Sequence, residues 1–169
     1  MSRFKKTMLA GVALVATLAV LGGTAYGVAT FRTGTYTSKQ YIIDSTDAWV
    51  TSSAAWVAVP NTTVSVTLPA SRLINARYTA ESICTGGSWC SVRIVYITSA
   101  GTVIELGPQS GTDFAFDSPN DLWESQAVER TSRTYVPAGT YRVQVQAAVV
   151  GGSSFRLDDY HLNVGLISP

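Results

Sequence analysis

The residues of this chain that could do chemistry are few: two cysteines, one histidine, a run of loop carboxylates and four tryptophans. Cys84 and Cys90, within ESICTGGSWCSVRIVY (residues 81–96), are the only cysteines. A structural zinc site takes four ligands, and the chain offers these two and the distant His161. A redox pair is normally C-x-x-C, whereas five residues separate these two. The intervening TGGSW is turn chemistry, with two glycines able to take positive φ. Cys84 and Cys90 therefore read as a disulfide stapling a hairpin between ARYTAESI and SVRIVYI. Cys84 facing Cys90 would set a register: Ser82 opposite Val92, Ala80 opposite Ile94, Tyr78 opposite Tyr96. So short a loop contributes about 2–2.5 kcal/mol in the chain-entropy picture.

The run LDDYHL (157–162) joins Asp158, Asp159 and the only histidine, His161. A His–Asp pair can do general acid–base work. Strand neighbours point to opposite faces, however, and no nucleophile motif accompanies the pair. No catalytic residue is assigned. A small hydrolase using Asp159 and His161 is the remote alternative; an aspartate capping the amides of a bulge is the plainer one. The run GTDFAFDSPNDLWE (111–124) carries Asp113, Asp117, Asp121 and Glu124. Hard oxygen ligands on a loop can hold calcium, and these four are the calcium candidates. Their spacing matches no EF-hand, and the reading is a polar edge followed by a loop, with no metal and no cofactor assigned. Trp89, in the turn, and Trp123, beside the acidic loop, are the candidate ligand-binding residues, because exposed rings on a rigid β-scaffold stack on sugar faces. Packing over its own disulfide is the alternative for Trp89. Trp56, inside AAWVAV, is expected in the core. Asn61-Thr62-Thr63 is an N-glycosylation sequon, with meaning only in a glycosylating secretory pathway.

The elements that must position these residues begin with an export signal. MSRFKKT has three bases and no acid, MLAGVALVATLAVLG is uncharged and apolar, and GTAYG supplies small residues. This is a signal peptide over 1–27, with Ala25, Gly27 and Ala29 all acceptable before the cut. The apolar run is short for a spanning helix, so no stable membrane span is expected after cleavage. Residues 28–45 read as a polar N-terminal leader and 46–169 as the folded domain. Beyond residue 27 there are nine bases against eleven acids, with no basic excess to attract nucleic acid.

The remaining pattern is period two. Val64, Val66 and Leu68 share one face, and Thr63, Ser65 and Thr67 the other. Tyr141, Val143, Val145, Ala147 and Val149 alternate with Arg142, Gln144 and Gln146. Turn residues separate these runs, at VPN (59–61), SPN (118–120) and VPAG (136–139). In the last strand Phe155 and Leu157 have one parity, and Leu162, Val164 and Leu166 the other, so an extra residue or corner falls near Asp158–Tyr160. Eight or nine such strands predict an all-β, two-sheet antiparallel β-sandwich, with jelly-roll topology preferred and an immunoglobulin-like sandwich the alternative. The pattern WVAVPNTTVSVTL, ARYTAES, VPAGTYRVQVQ and FRLDDYHLNV resembles exported bacterial jelly-roll domains, related in shape to the C1q/TNF-like sandwich. That resemblance implies a fold and no activity.

These readings point to a secreted, extracellular, non-catalytic binding module for a polysaccharide or a cell-surface ligand. A structural or self-assembling surface protein is the alternative, since 14% charged residues would allow an oligomer.

Overall fold

Every regular element among the residues described by the computed structural model, 34–111 and 114–169, is a β-strand. The expected signal peptide lies outside those residues. The strands are β1 (Thr35–Ser45), β2 (Trp49–Thr51), β3 (Val57–Ala58), β4 (Val64–Leu68), β5 (Leu73–Thr85), β6 (Trp89–Ile97), β7 (Val103–Glu105), β8 (Glu124–Thr131), β9 (Gly139–Val150) and β10 (Ser154–Ser168). One sheet has the order β1-β10-β5-β8, with β2 also on β10; the other has β3-β9-β6-β7, with β4 also on β9. All of these pairs are antiparallel.

The pairing is nested. β1 takes β10, β4 takes β9, β5 takes β8, and β6 takes β7. Such nesting is one long hairpin rolled up, then closed by β10–β5 in one sheet and β9–β6 in the other. This is jelly-roll connectivity and not the immunoglobulin order. The inward parities come out as the alternation predicts: Val66 and Leu68 on β4, and Val143, Val145, Ala147 and Val149 on β9, are buried. Between the sheets Tyr78, Phe116, Phe155 and Tyr160 form a chain of ring contacts with centroids 6.1–6.2 Å apart.

Two expectations need correction. The first sheet begins inside the segment read as a leader: β1 pairs along β10, and Tyr41 and Ile43 pack on the core. Its small polar residues hid a short alternating stretch, YIID. The second correction concerns the cysteines. The disulfide forms, with Cα atoms 5.9 Å apart, but β5 and β6 are not a hairpin. Ser82 lies opposite Leu157 and Glu124, and Val92 lies opposite Ala147. The expected pairs Ser82–Val92, Ala80–Ile94 and Tyr78–Tyr96 are therefore not cross-strand neighbours. Both strands carry one long apolar face, and stacking those faces in two sheets buries each more fully than laying them side by side. The disulfide thus ties one sheet to the other at a corner of the sandwich.

That corner is turned by Gly86 and Gly87, at φ 67° and 56°. A Cβ on Gly87 would lie 2.3 Å from the Ser153 hydroxyl and 2.6 Å from the Gly151 carbonyl oxygen. Gly101 also has positive φ, 83°, but a Cβ there meets nothing within 4 Å. Gly101→Ala is expected to cost only the left-handed backbone term, about 1–2 kcal/mol. Gly87→Ala should cost clearly more, because the backbone of the crossing must also shift. Urea unfolding of the two variants measures the difference; equal losses would contradict the close-packed crossing.

Candidate functional site

The outward parities of the first sheet build a polar face in rows. Ser125, Glu81 and Asp158 lie side by side across β8, β5 and β10. The next row is Ala127, Thr79, His161 and Asp44, reaching β1. Then come Glu129, Arg77, Asn163 and Ile42, and after them Thr131, Asn75, Gly165 and Gln40. Ala127 and Thr79 are small beside their neighbours, so their row is the floor of a shallow trough of about 440 Å³. Arg77 stands on one wall; Glu81, Ser125 and Asp159 stand on the other.

Much of this face is held in place by its own hydrogen bonds. Asn75 Nδ2 donates to Glu129 Oε1 at 3.0 Å and to Thr131 Oγ1 at 2.9 Å. Asn163 Nδ2 donates to Gln40 Oε1 at 3.4 Å, and His161 Nδ1 is joined to Asp44 Oδ1. The side chains of Arg77, Glu81 and Asp159 make no hydrogen bond or ion pair among the described residues. They leave one strong donor group and two strong acceptors facing the trough.

An aromatic ring stands toward each end of the face. Trp123 is 46% exposed, and the Arg156 guanidinium lies 5.0 Å from its ring centroid. At the other end Tyr36, 55% exposed, lies against Gly165, where a Cβ would sit 3.3 Å from the ring. Glycine at 165 is what lets that ring lie close on the sheet. Burial and the nearby Glu129 charge both push the Tyr36 hydroxyl pKa up.

Asp159 owes its place to a bulge. The β10–β5 register shifts between Asp158 and His161, where the sequence parity slips, and Asp159 takes φ 44°. The Asp158 carboxylate accepts the Asp159 amide at 3.0 Å and faces Arg156 at 3.4 Å. Asp158 therefore caps the bulge, and Asp159 is turned to the trough. The pair that the hydrolase alternative needs is not formed, since the partner of His161 is Asp44 on β1.

The segment that carries Trp123 is anchored at the disulfide corner. Cys90 N donates to Asp117 O at 3.0 Å, and Phe116 N and Asp117 N donate to Cys90 O at 2.9 and 3.1 Å. Pro119 bridges to Cys84 on the other sheet. Asp117 is 2% exposed; its Oδ2 accepts from Ser82 Oγ at 2.7 Å, while Oδ1 is enclosed with no hydrogen-bond partner among the described residues. Burial drives its pKa above the usual carboxylate value; the Ser82 and Ser118 hydrogen bonds pull against that, and Glu124 adds to it. Of the other calcium candidates, Asp113 lies outside the described residues, and Asp121 is exposed at φ 57°. Glu124 is engaged by Asn120 at 2.6 Å and Gln126 at 2.7 Å. Among the described residues no three such side chains converge as a metal site.

Trp49, on β2 of the first sheet, packs against the core, whereas Trp56 and Trp89 lie on the outer face of the second sheet. Trp89 opens β6 opposite Val150, half-buried, with its Nε1 enclosed and without a hydrogen-bond partner among the described residues. Trp56, expected in the core, is instead half-buried beneath Arg93, whose guanidinium is 4.6 Å from its ring centroid. The residues just before β3 run along the outside of β9, and Trp56 lines a groove with Ser91 and Ala148. Arg93 donates to Gln146 Oε1 at 2.8 and 2.6 Å and faces Glu105 at 3.8 Å, so its charge is already engaged.

Sequence reasoning singled out Trp123, and its ring is exposed. It missed Arg77, Asn75, Asn163 and Tyr36. The outward parity of Arg77, Asn75 and Asn163 on β5 and β10 was readable, but parity does not say which strands lie side by side; Tyr36 is on β1, in the segment read as a leader.

No protein-family model matches the chain, and neither does any curated protein. Solved structures similar to it include that of infectious bursal disease virus, Gx strain, 15% identical over 89% of this chain and 37% of the viral one, with a TM-score of 0.45. A second is TmCBM61 in complex with β-1,4-galactotriose, 14% identical over 74% of this chain and 88% of that one, with a TM-score of 0.30. A third is a family two carbohydrate esterase from Cellvibrio japonicus, 12% identical over 78% of this chain and 35% of the other, with a TM-score of 0.25. The chain thus spans little more than a third of the viral and esterase chains. The likeness at these identities is one of fold alone.

The buried carboxyl of Asp117 makes a signed prediction. Its pKa is raised in the folded state, so folding is favoured by protonation; that stability is full in acid and is lost as pH rises through the folded value. Asp117→Asn should be more stable than the parent at pH 7, and the gap should close in acid. Urea unfolding from about pH 4 to pH 8 reads this. A gap that stays constant, or widens in acid, would show that the carboxyl is not the strained group.

Proposed function

We propose that this protein is an exported, non-catalytic carbohydrate-binding module. A glycan lies on the outer face of the first sheet, stacked on Trp123 and hydrogen-bonded along the trough. The observation that carries the reading is Trp123. Its ring is exposed and backed by Arg156, at the end of a face whose middle rows are polar and partly pre-ordered. A pyranose has an apolar face for a ring and hydroxyls for flanking donors and acceptors, so this pairing of groups suits it. Trp89 has its indole nitrogen enclosed and is given a packing role here. Export through a signal peptide over 1–27 is part of the same reading, and the Cys84–Cys90 disulfide suits an oxidising compartment.

Trp123→Ala should reduce retention on insoluble or soluble polysaccharide at least tenfold while the melting temperature changes little, since the ring is on the surface. Trp89→Ala should do the opposite, losing about 2–4 kcal/mol of stability through an unfilled packing site. A glycan pull-down run beside thermal melts separates them; Trp123→Ala that melts early yet binds normally defeats the stacking role. Intact-mass analysis of the secreted protein should find an N-terminus between residues 26 and 30, and full-length chain held in membranes would refute export.

A further inference from the structure

We infer that the trough selects neutral polysaccharides and excludes polyuronates, with Asp159 the residue that sets the choice. This rests on the carbohydrate reading above. The outer face carries five carboxylates, on Asp44, Glu81, Glu129, Asp158 and Asp159, against the two guanidiniums of Arg77 and Arg156. Arg156 is occupied by Trp123 and Asp158, and Arg77 has Glu129 directly across the strand pair. A ligand carboxylate entering the trough would meet Glu81 and Asp159 at close range, with only Arg77, itself opposite Glu129, to compensate it, so the trough stays net negative. A neutral hexose meets no such charge. Its hydroxyls can donate to Glu81 and Asp159 and accept from Arg77, the three trough side chains with no hydrogen-bond or ion-pair partner among the described residues.

Asp159 is singled out by its backbone. A non-glycine residue at φ 44° is uncommon, and here it follows from an extra residue in β10. The capping that this backbone needs is supplied by Asp158, not by Asp159 itself. The Asp159 carboxylate is therefore surplus to the fold and free for a ligand. Asparagine tolerates the same φ at least as well, so Asp159→Asn removes the charge and keeps the bulge.

The test is native affinity electrophoresis of the secreted protein at low salt, in gels containing β-1,4-glucan, β-1,4-mannan or polygalacturonate. At least one neutral polymer should retard the wild type and polygalacturonate should not. Asp159→Asn should weaken the neutral interaction about tenfold, the loss of a charge-assisted hydrogen bond, and should admit polygalacturonate. Glu81→Gln, on the same wall, is expected to shift both in the same direction, which covers a misfolded first variant. Retardation of the wild type by polygalacturonate as strong as by any neutral polymer overturns the inference but leaves carbohydrate binding standing. So does a neutral affinity unchanged in both variants. Retardation by neither class overturns the carbohydrate reading and this inference together.

Discussion

One extra residue in β10 is the constraint on which both the core and the site depend. β10 is the long central strand of the first sheet, paired to β1 and β2 on one side and to β5 on the other. Its apolar residues are out of phase with one another: Phe155 and Leu157 before Asp158, Tyr160, Leu162, Val164 and Leu166 after Asp159. An unbroken period of two would bury one group and expose the other. The bulge brings both groups inside, each of those residues being at most 2% exposed. It also turns Asp159 outward beside Thr79 and Ala127, where small neighbours leave room. Core packing and trough chemistry are two consequences of the same local irregularity.

The disulfide has a similar double role. It crosses from sheet to sheet, and the chain segment around Asp117 is bonded to the strands at both of its ends. Phe116 enters the ring cluster against Tyr78 and Phe155. The connection between β7 and β8 is thereby pinned at this corner before it reaches Trp123. Ordering a ring in advance lowers the entropy lost when a ligand stacks on it. The cost is an enclosed carboxylate oxygen at Asp117, tolerated because its carboxyl also ties the segment to Ser82.

The two outer faces of the sandwich differ in what they leave available. On the second sheet Arg93 is spent on Trp56, Gln146 and Glu105. On the first, Asn75, Asn163 and His161 brace one another's strands, while Arg77, Glu81 and Asp159 stay uncommitted. Buried or braced polar groups fix geometry; unspent ones beside a depression are those that a ligand can use.

Strand character was legible in the chain because the side-chain period of a strand is local. The faces of β4 and β9, the slip in β10 and the joining of Cys84 to Cys90 all follow from residues near one another in sequence. The exposed ring of Trp123 was anticipated from its turn-rich surroundings. Which strands lie side by side is a different kind of fact, because pairing is decided by what buries the most apolar surface over the whole chain. That is why β5 and β6 stack across the sandwich when their turn suggests a hairpin, why 35–45 is a strand when its composition suggests a leader, and why Trp56 lies outside when its apolar neighbours suggest the core. The trough belongs to this second kind. Arg77, Ser125 and Asp159 are far apart in sequence, and only the adjacency of β10, β5 and β8 makes them one surface.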